Sequence, residues 1–176
     1  MPHRIAKAGE LARAVVHRAD ELGVRFAVAE SLTGGLLSAT IVSVPGASRV
    51  FSGGIVAYDT ALKSSLLGVD AALLAARGPV DPEVATQMAR GVRRACAVPQ
   101  GRASVPTEVQ FGISTTGVAG PDPDPQTGQG VGTVWLGISS GQGERAMLFE
   151  ISGNRQAIRE ATVREALQLL HDAIGE

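Results

Sequence analysis

Two periods of hydrophobic and polar positions along this chain predict where its helices and strands lie. Near both ends, apolar residues recur every three to four positions with charges between them, a pattern typical of amphipathic helices, here over residues 5–22 and 154–174. Between the ends, short apolar runs predict strands, the first of them buried on both faces of a sheet. These runs lie at residues 24–29, 53–58, 109–114, 132–139 and 145–151.

Proline and capping residues delimit further helices. Pro45 breaks the helix that follows the first strand, and Asp70 is suited to cap another helix. The run Asp81-Pro82-Glu83 is a strong helix start, because a capping Asp precedes Pro at the first helical position, and it predicts a helix to about residue 97. A short helix in the polar segment 59–69 would place Lys63 about one turn past the second strand.

The order of these elements predicts the fold class. Helices and strands follow one another as α-β-α-β-α-α-β-β-β-α, which is typical of a three-layer α/β/α domain. Residues 140–143 carry a hairpin signal between the last two strands, so the sheet is expected to be mixed and mainly parallel, with one antiparallel pair. Polar loops are expected at 99–106 and 121–130. Since the chain has 176 residues and no internal repeat or linker, we expect residues 1–176 to form a single domain.

Composition narrows the class of protein. A hydrophobic fraction of 44% with a formal net charge of -1 fits a globular domain and lacks the basic excess of a nucleic-acid-binding protein. Cys96 is the only cysteine, which excludes an internal disulfide and a multi-cysteine zinc site. No apolar run is long enough to span a bilayer. We therefore expect a cytoplasmic protein without a metal, a nucleic-acid partner or a membrane partner.

Polar or glycine-bearing segments follow three of the predicted strands. In open α/β sheets, ligands bind beyond the carboxyl ends of the strands, so these segments are expected to be neighbours if the strands are parallel. The first of them, residues 31–35, holds Ser31 between an apolar strand and a helix. Such a place suits a nucleophile or an anion. A helix cap for Ser31 and a plain tight turn for Gly34-Gly35 are equally compatible with the pattern.

A serine nucleophile needs a base that takes its proton. The histidines, His3, His17 and His171, lie on the terminal helices and away from the polar turns, which disfavours a Ser-His-Asp triad. Lysine is the remaining base, and the chain has only Lys7, in the first helix, and Lys63. A lysine serves as a base when burial lowers its pKa. A solvated surface lysine is the alternative interpretation of Lys63.

Arg155 and Arg159 open the last predicted helix at a spacing of four. That spacing places both side chains on one face of the helix. The pair is suited to hold a phosphate group, and ordinary surface charge is the alternative.

Five separated motifs carry a resemblance to a known family. They are AESLTGG at 29–35, GGIVAYDTALKSSLLGV at 53–69, TTGVAGP at 115–121, VGTVW at 131–135 and SGNR at 152–155. In order and spacing they closely resemble the CinA C-terminal domain family, which includes stand-alone nicotinamide mononucleotide amidases. The match covers nearly the whole chain, so it is far more specific than one glycine pair.

The resemblance implies hydrolysis of nicotinamide mononucleotide to nicotinic acid mononucleotide and ammonia, in pyridine-nucleotide salvage. It implies a Ser/Lys mechanism in which Ser31 is the nucleophile, Lys63 is its base, and Tyr58 assists or positions these two residues. A small nucleotide is the expected partner, no cofactor is expected, and a homo-oligomer is compatible with the sequence. The residues that would supply oxyanion donors or nucleotide contacts are Thr33, Gly34, Gly35, Thr116, Gly117, Ala119, Gly120 and Arg155.

Two positions depart from the family's pattern. After the tyrosine the family commonly has Ser-Asn, whereas this chain has Asp59-Thr60, and Asn154 replaces the acid of a common Gly-Asp-Arg. Full-length CinA proteins carry a preceding molybdopterin-binding-like domain that this chain lacks, so a stand-alone form is expected. Two alternatives to an amidase stay open. One is a non-catalytic nucleotide-binding module, and the other is an accessory of competence or DNA-damage responses, for which no basic patch is found.

Overall fold

The computed structural model describes residues 7–99 and 105–176. The helices are α1 (Ala8–Leu22), α2 (Leu36–Val42), α3 (Thr60–Leu67), α4 (Ala71–Arg77), α5 (Pro82–Ala95) and α6 (Arg155–Gly175). The strands are β1 (Phe26–Glu30), β2 (Phe51–Val56), β3 (Val98–Pro99), β4 (Pro106–Thr107), β5 (Phe111–Gly117), β6 (Thr133–Ser140) and β7 (Gly143–Glu150). A short 3-10 helix, Ala47–Arg49, precedes β2.

Five strands form one mixed sheet in the order β2-β1-β5-β6-β7. Strand β1 pairs in parallel with both β2 and β5, whereas β6 pairs antiparallel with both β5 and β7. The predicted α/β class with a mixed sheet is confirmed, but two pairs of strands are antiparallel and not one, because β6 also pairs with β5. Because β1, β2 and β5 are parallel, their carboxyl ends meet at one edge of the sheet, which is where a ligand site is expected.

Helices cover both faces of the sheet and bury two apolar cores. Strand β1 contributes to both because its side chains alternate between the faces. Phe26 and Val28 enter the core under α1, α2 and α6. Ala27 and Ala29 enter the core under α3, α4 and α5. The strand that leads into Ser31 is therefore packed on both faces, and all five of its residues are buried.

Helix α5 approaches the sheet at two glycines. A Cβ atom on Gly112 would lie 2.1 Å from the carbonyl oxygen of Ala89, and one on Gly137 would lie 2.2 Å from that of Ala85. Any side chain at either position would push the helix away from the sheet. The Ser114 hydroxyl donates to the Ala85 carbonyl over 2.6 Å, which fixes α5 against β5.

Two predicted strands end two or three residues away from their predicted ends. Strand β2 ends at Val56, two residues earlier than predicted, so Tyr58 lies beyond the strand. Strand β5 ends at Gly117, three residues later than predicted, because its pairing with β6 continues to Gly117 opposite Val134. Thr115 and Thr116 therefore belong to the strand and not to the turn that follows it.

The segment between β2 and β5 also differs from the predicted order. It contains three helices instead of two, since residues 60–67 form α3. Strands β3 and β4 form a separate antiparallel pair at the ends of the predicted loop 99–106. Residues 100–104 of that loop, and residues 5 and 6 of the first predicted helix, lie outside the described residues. The predicted hairpin is confirmed as β6 and β7.

Two features are absent from residues 7–99 and 105–176. None of the helices there combines the length and the apolar character needed to cross a bilayer. The same residues contain no group of three or more His, Cys, Asp or Glu side chains placed to hold a metal ion.

Candidate active site

Ser31 follows β1 directly, at the carboxyl edge of the sheet. Its backbone N–H donates to the carbonyl of Thr115 in β5 over 3.0 Å, which extends the pairing of the two strands by one residue. The hydroxyls of Thr33 and Thr115 lie 2.8 Å apart in the interior of the turn. Ser31 is only 9% exposed. The candidate nucleophile is thus held by the neighbouring strand.

Lys63 reaches Ser31 from helix α3. Its Nζ donates to Ser31 Oγ over 3.0 Å and to the carbonyl of Ala57 over 2.8 Å. The lysine is 1% exposed, so the interpretation as a solvated surface lysine is wrong. Asp59 starts the helix by accepting from the N–H of Ala61 over 2.8 Å, a role that any good capping residue could fill. The departure at position 59 therefore preserves the helix that carries the lysine.

Burial changes the acid-base chemistry of Lys63. Desolvation of the ammonium lowers the pKa of Lys63 from 10.5 to about 8, and the negative charge of Asp59 acts in the opposite direction. With this pKa, roughly a tenth of the side chains are uncharged at pH 7. A neutral amine beside Ser31 Oγ has a lone pair for the serine proton, so the pair has the chemistry of a nucleophile and its base.

Glu30 shapes the turn that holds Ser31. Its side chain is fully buried at the end of β1. The carboxylate accepts from the backbone N–H groups of Gly35, Leu37 and Ser38 at 2.8 to 3.0 Å, and from the Ser38 hydroxyl at 2.6 Å. These are donors at the start of α2 that have no partner within the helix. Glu30 therefore ties the start of α2 to the residue next to Ser31.

Replacement of Glu30 by glutamine is expected to lower the free energy of unfolding by about 2 to 4 kcal/mol. The amide group turns one acceptor oxygen into a donor that faces other donors, and each buried donor left unpaired costs about 1–3 kcal/mol. Urea unfolding measures the change. The control is Glu21→Gln, which breaks an exposed ion pair with Arg18 and should change stability by less than about 1 kcal/mol. Equal stability of the two variants would contradict the assigned role of Glu30.

A cavity of about 370 Å³ opens beside Ser31 and Lys63. It lies at the carboxyl edge of the parallel strands, between α3, the start of α6 and the loop after β5. The predicted site residues in its wall are Ser31, Tyr58, Lys63, Thr116, Gly117, Ala119 and Arg155. Tertiary structure thus brings these residues from four separate stretches of the chain to one cavity.

Arg155 connects two parts of the cavity wall. Its guanidinium donates to the Gly120 carbonyl over 2.6 Å and to the Tyr58 hydroxyl over 2.8 Å. Asn154 caps α6 by accepting from the N–H of Ala157 over 3.0 Å, so the departure at position 154 keeps the cap that an acid would supply. Within the described residues, Arg155 forms no ion pair with a carboxylate. Its charge is available to an anionic ligand.

The predicted residues Thr33, Gly34, Gly35 and Gly120 do not line the cavity. The N–H of Gly34 donates to the Ser31 carbonyl, and the N–H of Gly35 donates to Glu30. The expected role of the two glycines as oxyanion donors is therefore corrected, because both N–H groups already have acceptors. Their φ angles of 56° and 93° are positive, a conformation that favours glycine, so the pair forms the tight turn that was the alternative interpretation.

The second arginine of the pair has a structural role. Arg159 donates to the carbonyls of Leu32 and Thr33 over 3.0 and 2.8 Å, so it fastens α6 to the turn. It does not share the cavity with Arg155, which corrects the expectation that both meet one phosphate. His17 and His171 lie on α1 and α6, outside the cavity wall, and His3 lies outside the described residues.

Three site residues were missed because their sequence context hides them. Glu30 ends an apolar strand, and a charge at the end of a buried run is the signal that could have marked it. Asp124 lies in a loop rich in Pro, Asp and Gly, where an exposed turn residue is the usual interpretation. Thr60 follows the capping Asp59 in a short helix that is only weakly amphipathic. Thr60 and Asp124 both line the cavity.

Comparisons with known proteins agree with this architecture. The family model of the CinA C-terminal domain matches residues 8–174. A CinA-like protein of Frankia casuarinae is 44% identical over 145 residues, which are 82% of this chain and 30% of that protein. A CinA-like protein of an Anaeromyxobacter species is 42% identical over 165 residues, 94% of this chain and 37% of that protein. The chain thus spans about a third of the length of these curated relatives.

Solved structures resemble the chain along nearly its whole length. The competence/damage inducible protein CihA from Agrobacterium tumefaciens superposes with a TM-score of 0.83 at 31% identity and covers 100% of both chains. A CinA superfamily protein from Enterobacter cloacae superposes with a TM-score of 0.87 at 25% identity, over 99% of this chain and 96% of that one.

Proposed function

This chain belongs to the CinA C-terminal domain family, and from that premise we propose that it hydrolyses the carboxamide of nicotinamide mononucleotide to nicotinic acid mononucleotide and ammonia. The observation that carries the proposal is the buried contact of 3.0 Å between Lys63 Nζ and Ser31 Oγ, at the wall of a cavity. A hydroxyl and a partly neutral amine at this distance form a nucleophile and base without a histidine.

The first half of the reaction forms an acyl-enzyme. The neutral amine of Lys63 takes the proton of the Ser31 hydroxyl while Oγ forms a bond to the carboxamide carbon. The tetrahedral intermediate then collapses, the carbon–nitrogen bond breaks, and the Lys63 ammonium returns the proton to the leaving nitrogen. Ammonia departs and an ester between Ser31 and the nicotinoyl group remains.

The second half releases the acid. Lys63, again neutral, takes a proton from a water molecule whose oxygen attacks the ester carbon. The ester bond to Ser31 Oγ breaks, and the lysine returns the proton to the serine. The carboxylic acid gives its proton to the solvent and leaves as a carboxylate, so the dyad ends in the state in which it started.

Backbone N–H groups supply the oxyanion donors in this proposal. Leu32 follows the nucleophile and lines the cavity, as does Ala119 in the loop after β5. Among the residues the structure describes, neither backbone N–H has a hydrogen-bond acceptor. The N–H after the nucleophile is a frequent oxyanion donor in serine hydrolases. These two groups therefore take the role that the sequence had suggested for Gly34 and Gly35.

Arg155 is the proposed contact for the nucleotide phosphate. Its guanidinium borders the cavity and forms no ion pair in the described part of the chain, and a guanidinium suits phosphate oxygens well. Tyr58, which is 57% exposed, accepts a hydrogen bond from Arg155. In this arrangement Tyr58 orients the arginine, and Thr116, Gly117 and Gly120 form or support the wall against which the nucleotide lies.

The test is ammonia release from nicotinamide mononucleotide, measured beside calorimetric binding of the same compound. Release of ammonia with one equivalent of nicotinic acid mononucleotide supports the amidase. Binding without turnover would instead favour a non-catalytic nucleotide-binding module. Salt-dependent binding of DNA in the same buffer would favour the nucleic-acid accessory role.

The pH dependence of turnover tests whether neutral Lys63 is the base. We expect kcat/KM to rise with pH and to level off above about 8, where the lysine loses its proton. Because Asp59 raises the pKa of Lys63, Asp59→Asn should lower that pKa and move the rising limb to lower pH. Asparagine caps helices as well as aspartate does, so α3 is retained.

The matched control for this shift is Asp70→Asn. Asp70 caps α4 through the N–H of Ala72 at 2.8 Å, the same geometry as Asp59 on α3, and it is not a cause of the Lys63 shift. The pH profile of this variant should coincide with that of the wild type. An equal shift in both variants, or a shift of Asp59→Asn to higher pH, would contradict Lys63 as the base.

A further inference from the structure

Asp124 is a buried acid in the cavity wall that the proposed reaction does not use. We propose that its carboxylate accepts a hydrogen bond from a ribose hydroxyl and so selects ribonucleotides over deoxyribonucleotides. This inference rests on the proposed function, because it names how the same cavity recognises the sugar of its substrate.

The two carboxylate oxygens of Asp124 have different surroundings. Oδ2 accepts from the backbone N–H and the hydroxyl of Thr127 over 2.8 and 2.6 Å. Oδ1 has no hydrogen-bond donor among the residues that the structure describes. Asp124 is only 9% exposed and lines the cavity. One oxygen therefore holds the loop together, and the other is available to a ligand.

The loop around Asp124 is anchored on the side of α4. Gln126 donates to the carbonyls of Leu74 and Ala75, both over 3.0 Å. Gln129 donates to the carbonyl of Val80 over 2.8 Å. Two side chains that follow Asp124 thus fasten the loop to one wall of the cavity, and a carboxylate in a fixed place is suited to recognise one group of a ligand.

Asp124 forms no ion pair with Lys63 or Arg155, the charged groups of the reaction. The carboxylate that acts on the Lys63 ammonium is Asp59 and not Asp124. Arg155 is held by Tyr58 and Gly120 and forms no ion pair with Asp124. The cavity wall therefore carries three kinds of group, which are the Ser31–Lys63 dyad, the cation of Arg155 and the acceptor oxygen of Asp124.

A mononucleotide has one chemical group that suits each of these three groups of the cavity wall. Its carboxamide is the group for the dyad, and its phosphate is attracted to Arg155 and repelled by Asp124. The sugar between them carries neutral hydroxyl groups. A carboxylate oxygen accepts strong hydrogen bonds from such donors without charge repulsion. Carboxylates recognise ribose hydroxyls in the same way in dinucleotide-binding folds.

Calorimetry with Ser31→Ala protein tests the inference without turnover. The probes are nicotinamide mononucleotide, its 2′-deoxy and 3′-deoxy analogues, and ribose 5-phosphate. We expect Asp124→Asn in this background to weaken binding of the mononucleotide about 10- to 100-fold, and at least one deoxy analogue to bind both proteins equally weakly. Asparagine retains an oxygen for Thr127, so the loop bonds are kept, and the unfolding midpoint verifies this.

Two control variants separate recognition from loop structure. Asp122→Asn removes the same charge from an exposed position two residues away and should bind every probe like its parent. Thr127→Val removes the hydroxyl bond to Oδ2, keeps the backbone N–H bond to it and leaves Oδ1 unchanged, so it should keep the preference for the ribose over the deoxyribose form. Loss of that preference in Thr127→Val together with its retention in Asp124→Asn would overturn the inference.

The remaining outcomes distinguish this inference from the amidase proposal. Ammonia release by the wild type with no discrimination against either deoxy analogue would overturn the inference and leave the amidase intact. Discrimination in binding without ammonia release would support the inference and count against the amidase. An effect of Asp124→Asn on the mononucleotide but not on ribose 5-phosphate would assign Asp124 to the positively charged pyridine ring and overturn the sugar contact.

Discussion

Replacement of Ser31 by alanine is expected to lower kcat/KM for ammonia release from nicotinamide mononucleotide by about 10⁴-fold or more. The alanine side chain has no oxygen to form the acyl-enzyme, and Lys63 then has no proton to accept. Lys63 Nζ keeps its hydrogen bond to the Ala57 carbonyl in this variant, so the fold should persist. Stopped ammonia assays with purified protein measure the loss, and calorimetry shows that the nucleotide still binds.

The control for this loss is Ser65→Ala. Ser65 lies two residues after Lys63 in α3 and is exposed, so its hydroxyl has no part in the dyad. This variant should keep the wild-type rate. If Ser31→Ala hydrolyses the mononucleotide at the rate of Ser65→Ala, the covalent mechanism is wrong and a water molecule activated directly by Lys63 would be the simplest replacement.

Replacement of Lys63 by methionine is expected to have two effects, one on rate and one on stability. The rate of ammonia release should fall by about 10³-fold, a typical contribution of general base catalysis. Methionine has a similar length without the charge, so the desolvation of an ammonium is removed from the folded state. Keeping Lys63 protonated while buried costs roughly 3 kcal/mol, since its pKa is lowered from 10.5 to about 8.

The sign of the stability effect follows from proton binding. Between pH 8 and 10.5, the unfolded chain holds a proton on Lys63 that the folded protein lacks, so the wild type gains stability as the pH rises through this window. Below about pH 8 the full penalty is present. The free energy of unfolding of the wild type, relative to Lys63→Met, should therefore increase by roughly 2 kcal/mol between pH 7 and pH 10.

Urea unfolding of both proteins at several pH values measures this difference. Lys7→Met is the control, because Lys7 is the only other lysine of the chain and is exposed. Its stability relative to the wild type should stay nearly constant over the same range. A difference between wild type and Lys63→Met that does not change with pH would mean that burial does not perturb the lysine, and the neutral base would lose its physical basis.

The same burial that destabilises the protein is what makes the lysine useful. An exposed lysine with a pKa near 10.4 is almost fully charged at pH 7 and cannot take a proton from serine. Helix α3 and the Ala57 carbonyl hold Lys63 in a place where the charged form is disfavoured. The proposed site thus accepts a cost in stability for a base that works near neutral pH.

Local patterns predicted the elements that depend on local interactions. The terminal helices, the hairpin and the start of α5 at Asp81 were all recognised because caps, turns and periodicity act within a few residues. Strand ends were less accurate, since β2 and β5 end where pairing with a neighbour stops and not where the apolar run stops. Helix α3 was considered but was left out of the predicted element order, because its short polar sequence shows little periodicity.

The sequence by itself determined the α/β class, the nucleophile candidate after β1 and Lys63 as the remaining base, because strand, turn and residue chemistry are local properties. Only the tertiary structure decided that Ser31 and Lys63 meet at 3.0 Å across 32 positions of the chain. It also decided that Gly34 and Gly35 shape the turn, that Glu30 holds the turn from within, and that Asp124 borders the cavity. These outcomes depend on the parallel pairing of β1 with β2 and β5 and on burial, since both join distant segments and neither leaves a periodic mark in the sequence.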